Sequence, residues 1–299
     1  MNWVLFSLLS RASWGVDNII DKQLRETYLP DSLVLALITG VTSLSISLLI
    51  VLFNGLNWIG LTPVALVTLA GLIQFIAVFA FFQAVAKEEI SRVIPLFQFT
   101  PILVLILSFL FLGEVLTFSN YIAFVLILIG GFLISIKRVA GLFRLRGAFW
   151  WMVLSSSIYA VQAVLLKSLY VSYSFWDLTI YLGFGEFIPT LLAFLFVVNI
   201  RNRFTKRISV LKSGGWQLLI LGMFFTAIAS LGGLWAITTG PVSLISAFRG
   251  FQSVFVLIYA VLLSVWFPKI LKEELGKGVL VVKAMAIFLM MIGLYLIYI

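Results

Sequence analysis

An arginine stands inside an otherwise apolar run, SLISAFRGFQSVFVLIYAVLL, with no carboxylate in the run to neutralise it. Arg249 therefore needs water, a counter-charge or a ligand, and its planar guanidinium can fork onto a carboxylate or a phosphate. Glu186, in YLGFGEFIPT, is the nearest counter-charge to weigh. An Arg249–Glu186 pair would be a structural charge pair of modest net benefit, because desolvation consumes much of the attraction. On the other reading, Arg249 grips an anionic substrate while Glu186 or Asp17 accepts a proton. A second constellation lies near the start of the chain, where Ser7, Ser10, Arg11, Trp14, Asp17, Asn18 and Asp21 recur at three- and four-residue spacing and share one helix face. Lipid would not tolerate that stripe. It lines a water-filled cavity or meets partners on other helices, and Arg11 and Asp17 also read as a structural pair.

Ser155, Tyr159, Gln162 and Tyr170 repeat the stripe more weakly, and Ser91, Pro95 and Gln98 share one side of another run. Trp14 and Tyr159 offer apolar bodies with a polar edge, suited to gripping an amphipathic solute. Glu114, closing SFLFLGE, reads either as a proton or gating site or as a helix-end residue beside water. Lys22 and Lys167 read as gates or as snorkelling cations near helix ends. The expected substrate-binding residues are thus Arg249, Trp14, Tyr159, Gln98, Gln162 and Asn18; those for coupling or gating are Asp17, Glu186, Glu114, Lys22 and Lys167.

The elements that must position these groups follow from composition. The 299 residues are 63% hydrophobic and 10% charged, with a mean hydropathy of +1.20, far from a soluble average. A bilayer-spanning helix needs about 20 mostly apolar residues. Ten runs qualify: 2–21, 33–53, 62–86, 91–112, 118–137, 147–170, 177–199, 214–237, 241–266 and 279–299. The connections are short, so function must be built from the helices. No Cys and no His means no disulfide, thiol catalyst or imidazole metal site. No nucleophile–base constellation, phosphate-cradling loop or room for an ATPase domain appears, so neither an enzyme, a cofactor nor a primary pump is expected.

All but Arg11, Lys167, Arg249 and Lys283 of the twenty Lys+Arg fall in or beside odd-numbered loops. The positive-inside rule then puts those loops in the cytoplasm and both termini outside a plasma membrane, and the net +9 reads as orientation signal and lipid contact rather than nucleic-acid binding. IRNRFTKRISVLK reads either as a basic helix on the headgroups or as a solvated loop.

The chain also repeats itself. At an offset of 145, SWGVDNIIDK lies over IYAVQAVLLK; at 152, FFQAVAKEEISRVIPLFQFTPILV lies over GLWAITTGPVSLISAFRGFQSVFV. Five helices is an odd number, so the second half enters the membrane from the opposite side, an inverted-topology repeat suited to alternating access. The halves are 1–140 and 141–299.

SWG with Lys22 eight residues after Trp14, then IPLFQFTPILVLILSFLFLGE and NYIAFVLILIGGFLI, resembles the drug/metabolite transporter superfamily, specifically its EamA-type proteins. The resemblance spans 3–137 and 148–298. It implies an all-α integral membrane protein of ten transmembrane helices in two inverted five-helix repeats, and secondary transport of a small metabolite, often as export. The second half departs from the pattern, with VWFPKILKEELGKG where LGE would fall and Arg249-Gly250 in place of prolines, and many relatives are read with cytoplasmic termini. The function expected is secondary export of a small polar or amphipathic metabolite, with protons as the coupling ion to test. A flippase for a lipid-linked anion and a non-transporting receptor or scaffold are the alternatives.

Overall fold

The computed structural model describes residues 2–87, 93–135, 146–266 and 277–298. Lipid offers the backbone no hydrogen bonds, so long apolar runs close their own as helices. They do so here as α1 (Asn2–Thr27), α2 (Ser32–Asn54), α3 (Leu61–Lys87), a 3₁₀ turn (Ile94–Gln98), α4 (Phe99–Leu112), α5 (Phe118–Ser135), α6 (Arg146–Tyr170), α7 (Phe175–Phe196), α8 (Val198–Ser209), α9 (Ser213–Thr239), α10 (Val242–Ala247), α11 (Arg249–Trp266) and α12 (Lys277–Leu296). No strand occurs among the described residues. Among the described residues six stretches are long and apolar enough to cross a membrane: 32–54, 61–84, 148–170, 175–196, 213–239 and 242–263. Leu96–Leu112, Phe118–Ile134 and Val281–Leu296 are shorter apolar helices. Phe111, Phe196 and Phe288, 75%, 76% and 66% exposed, belong to an outer apolar surface that suits lipid and not water.

Polar groups end the helices. Asp31 Oδ1 accepts from the Leu33 and Val34 N–H groups and caps α2. Gly113, at φ 64°, ends α4 in the left-handed region that favours glycine. Two runs are broken in mid-course. The first runs from the 3₁₀ turn into α4. The second breaks at Phe248 between α10 and α11, where the Phe251 N–H bonds back to the Phe248 carbonyl.

The helix contacts recur in matched pairs. Ser10 Oγ of α1 donates to the Ala229 carbonyl of α9 (2.6 Å), and Ser155 Oγ of α6 donates to the Ala77 carbonyl of α3 (2.9 Å). Ser10 and Ser155 are 145 residues apart, Ala77 and Ala229 are 152 apart, and these are the offsets at which the sequence repeats. Asp17 on Gly222 and Thr226 is matched by Gln162 on Ala70 and Gln74 at the same offsets. Gly40 under Thr190 is matched by Gly183 under Ser47 where α2 crosses α7.

Loops sort to two faces. Arg203 of α8 bonds Asp31, and Tyr28 packs on Gly214 and Gly215. At the other end Asn57 Nδ2 donates to Asp177 Oδ1 (3.1 Å), and Trp3 covers Gly240. Ser91, Arg92, the boundary at 140/141, the basic loop over 137–145, and Lys269 and Lys272 of VWFPKILKEELGKG lie outside the described residues.

Candidate functional site

The centre of the bundle is reached from α1 and α6. On α1, Ser10 and Asp17 mark the side that meets α9, while a Cβ on Gly15 would lie 3.1 Å from Phe255 Cβ of α11. At about 100° per residue, Arg11, Trp14 and Asn18 project between those two contacts into the bundle. Leu5 and Leu9, 67% and 47% exposed, lie on the opposite arc. On α6, Ser155 and Gln162 meet α3, Ala160 packs with Val104 of α4, and Tyr159 projects between them. Trp14 and Tyr159, the aligned aromatics of the two stripes, thus hold corresponding places.

Arg249 begins α11 just past the break at Phe248, which turns its side chain onto aromatic rings. Its guanidinium carbon lies 4.9 Å from the Tyr159 ring centroid and 5.8 Å from that of Phe97. Cation–π attraction steadies a guanidinium while leaving its N–H edge free to donate. The Phe97 and Tyr159 rings are 6.3 Å apart, and Phe81 extends the aromatic wall. The sequence reading passed over Phe97, although the 152-residue offset lays it on Arg249. Gln98, 6% exposed, packs against Gly131, itself on Gly250, so its amide sits beside the start of α11.

Among the described residues no ion pair joins Arg249 and Glu186. Glu186 instead accepts a hydrogen bond from Ser43 of α2, a partner the sequence reading did not name. Glu186 lines a cavity of about 40 Å³ between α2, α7 and α9, whose walls mix Ser43, Ser47, Thr179 and Ser230 with Ile46 and leucines. That is room for water; a metabolite needs about 300 Å³ or more. A second cavity of about 360 Å³ is apolar, lined by Phe6, Leu9, Phe175, Trp176 and Trp235, and the two share Leu231. Arg249 lines neither of these.

The remaining expected residues are placed as follows. Asp17, 4% exposed, is turned to α9. Gln162 Nε2 donates to the Ala70 carbonyl (3.2 Å) and to Gln74, which ties α6 to α3. Trp14 and Asn18 are half-buried and Lys22 is exposed at the far end of α1. Lys167 Nζ donates to the Ile237 and Gly240 carbonyls (2.8 and 2.9 Å) at the end of α9. Glu114 accepts from the Val242 and Ser243 N–H groups (2.9 and 3.1 Å) and from Ser243 Oγ, at the start of α10. Lys167 and Glu114 thus join helix ends on one face, away from Arg249.

Residues 1–136 match the family model described as the EamA-like transporter family. No curated protein matches the chain. Twenty-eight chains of solved structures match. One, described as a crystal structure of a protein, is 14% identical, covers 97% of this chain and 97% of its own, and has a TM-score of 0.72. At that identity the likeness speaks for the fold alone.

Proposed function

We propose that this chain, which belongs to the EamA-type transporters of the drug/metabolite transporter superfamily, exports a small polar or amphipathic metabolite through an anionic group that Arg249 engages. Membership makes it a membrane transporter. The observation that carries the finer reading is the Arg249 guanidinium held on Tyr159 and Phe97, without an ion-pair partner among the described residues. A guanidinium so held is oriented yet not neutralised, and a carboxylate or phosphate can meet its forked edge.

Alternating access between two inverted five-helix halves is the mechanism proposed, with ten spans counted from the broken runs as single crossings. The matched contacts of Ser10 with Ala229 and Ser155 with Ala77 support that symmetry. Rocking of one half against the other would then expose Arg249 to each side in turn.

The test is flux in proteoliposomes. Arg249→Lys should fold and bind weakly, with transport reduced about tenfold or more, because an ammonium lacks the planar two-donor fork. Arg249→Met should abolish transport. Full transport in an Arg249→Met/Glu186→Leu protein would reject the substrate role. A second reading, a flippase for a lipid-linked anion, is favoured by the aromatic-lined pocket of about 360 Å³ that shares Leu231 with the Glu186 cavity. It requires scrambling of a labelled anionic lipid in the same vesicles.

A further inference from the structure

A second arginine lies on the helix that packs against α10 and α11. The Trp3 and Phe248 rings meet at 5.7 Å and Gly15 abuts Phe255, so α1 runs alongside α10 and α11 over the stretch that carries Arg11 on one side and Arg249 on the other. The two guanidiniums are close enough for their charges to repel. Among the described residues neither makes an ion pair. Glu186 is held by Ser43, Asp17 by Thr226, and Asp21 faces Arg25. Among the described residues the buried Arg11 Nε has no hydrogen-bond partner, and neither do Ser7 Oγ one turn away, Gln98 Oε1 or Ser156 Oγ near Tyr159.

Like charges brought together out of water destabilise each other, and buried polar atoms left unpaired add to that cost. Such a cluster is a poor structural device and a good receptor for negative charge. We propose that Arg11 is a second substrate-binding residue, and that the Arg11–Arg249 pair selects a compact dianion, the chemistry of a phosphomonoester, over a singly charged group. The inference rests on Arg249 being the residue that meets substrate.

A monoanion leaves one guanidinium uncompensated. A phosphomonoester carries a charge of about −1.5 to −2 at neutral pH and three terminal oxygens, enough to present an acceptor edge to each arginine. Trp14 and Tyr159 supply aromatic surface for the organic part. A soluble phosphate ester and a lipid headgroup offer the same chemistry, so the probes must separate them.

The experiment uses the full chain in nanodiscs, with phenyl phosphate as dianion, its monomethyl ester as monoanion, and phosphatidic acid as lipid dianion. Wild type should bind phenyl phosphate or phosphatidic acid at least about tenfold more tightly than the monoanion. Preference for phosphatidic acid assigns the dianion to a headgroup, and preference for phenyl phosphate assigns it to a soluble ester. Arg11→Gln should erase the dianion-over-monoanion ratio while raising the unfolding temperature of the unliganded protein, since repulsion is relieved. A structural Arg11 would do the reverse, leaving the ratio and lowering the temperature, and that result overturns the proposal. If Arg11→Gln does not fold, Arg11→Lys decides: it keeps the charge but loses the fork, and an unchanged ratio counts against the pair. Loss of binding in Arg249→Gln with an unchanged ratio in Arg11→Gln removes the Arg11 assignment alone. Unchanged binding in both removes the reading of Arg249 as well.

Discussion

Glu186 and Arg249 are held apart, where a simple ion pair would have joined them. Each has a neutral neighbour: Ser43 donates to the carboxylate, and the Tyr159 and Phe97 rings receive the guanidinium. Tyr159 stands within electrostatic reach of both charges. A carboxylate that is not committed to an arginine is free to take and release a proton as its surroundings change, and Glu186 lines a cavity large enough for water to deliver one. This leads to a prediction about coupling. Glu186→Gln keeps an acceptor for the Ser43 hydroxyl, so the protein should fold with little loss of stability, but it cannot exchange a proton. Solute exchange across proteoliposomes should persist while accumulation driven by a pH gradient disappears. Accumulation that survives in Glu186→Gln would move the coupling role elsewhere.

Helix ends show where a carboxylate and an ammonium serve the scaffold. Gly113 turns the chain out of α4 and delivers Glu114 onto the N–H groups that begin α10, where a negative charge also meets the positive end of the helix dipole. Removing it should cost about 2 kcal/mol in Glu114→Ala and less in Glu114→Gln, which keeps an acceptor. Thermal unfolding would rank the three proteins, and equal values for wild type and Glu114→Ala would deny the cap. The offsets of 145 and 152 were legible in the sequence because residues such as Ser10 and Ser155, which make like interhelical contacts, match in kind. The stripe on α1 was legible for the same reason that any helix face is, its three- and four-residue spacing. Which groups close on one another was not legible. Lys167 on the carbonyls that end α9, Ser43 under Glu186 and Phe97 beneath Arg249 join segments far apart in the chain, and their meeting depends on how the helices cross.

Across the whole molecule the two faces differ in charge as well as in structure. Asp31 with Arg203, and Tyr28 under Gly214, bring the first and seventh connections together on the face that carries the basic helix α8. Asn57 with Asp177, and Lys167 with the end of α9, gather even-numbered connections on the other. Arg201, Arg203, Lys206 and Arg207 on α8 are exposed, while Ile200, Phe204 and Ile208 turn inward on the same helix, the arrangement of a basic segment resting at a headgroup surface. By the positive-inside rule the expected orientation has α8 inside and the connection over 55–60 outside. The chain has no cysteine, so single thiols can be placed on a silent background. Leu56→Cys and Lys206→Cys both change exposed positions outside the helix contacts. In intact cells an impermeant thiol reagent should label Leu56→Cys at once, and Lys206→Cys after the membrane is opened. The opposite pattern would invert the orientation, and labelling of both in intact cells would deny that these two connections lie on opposite sides of the bilayer.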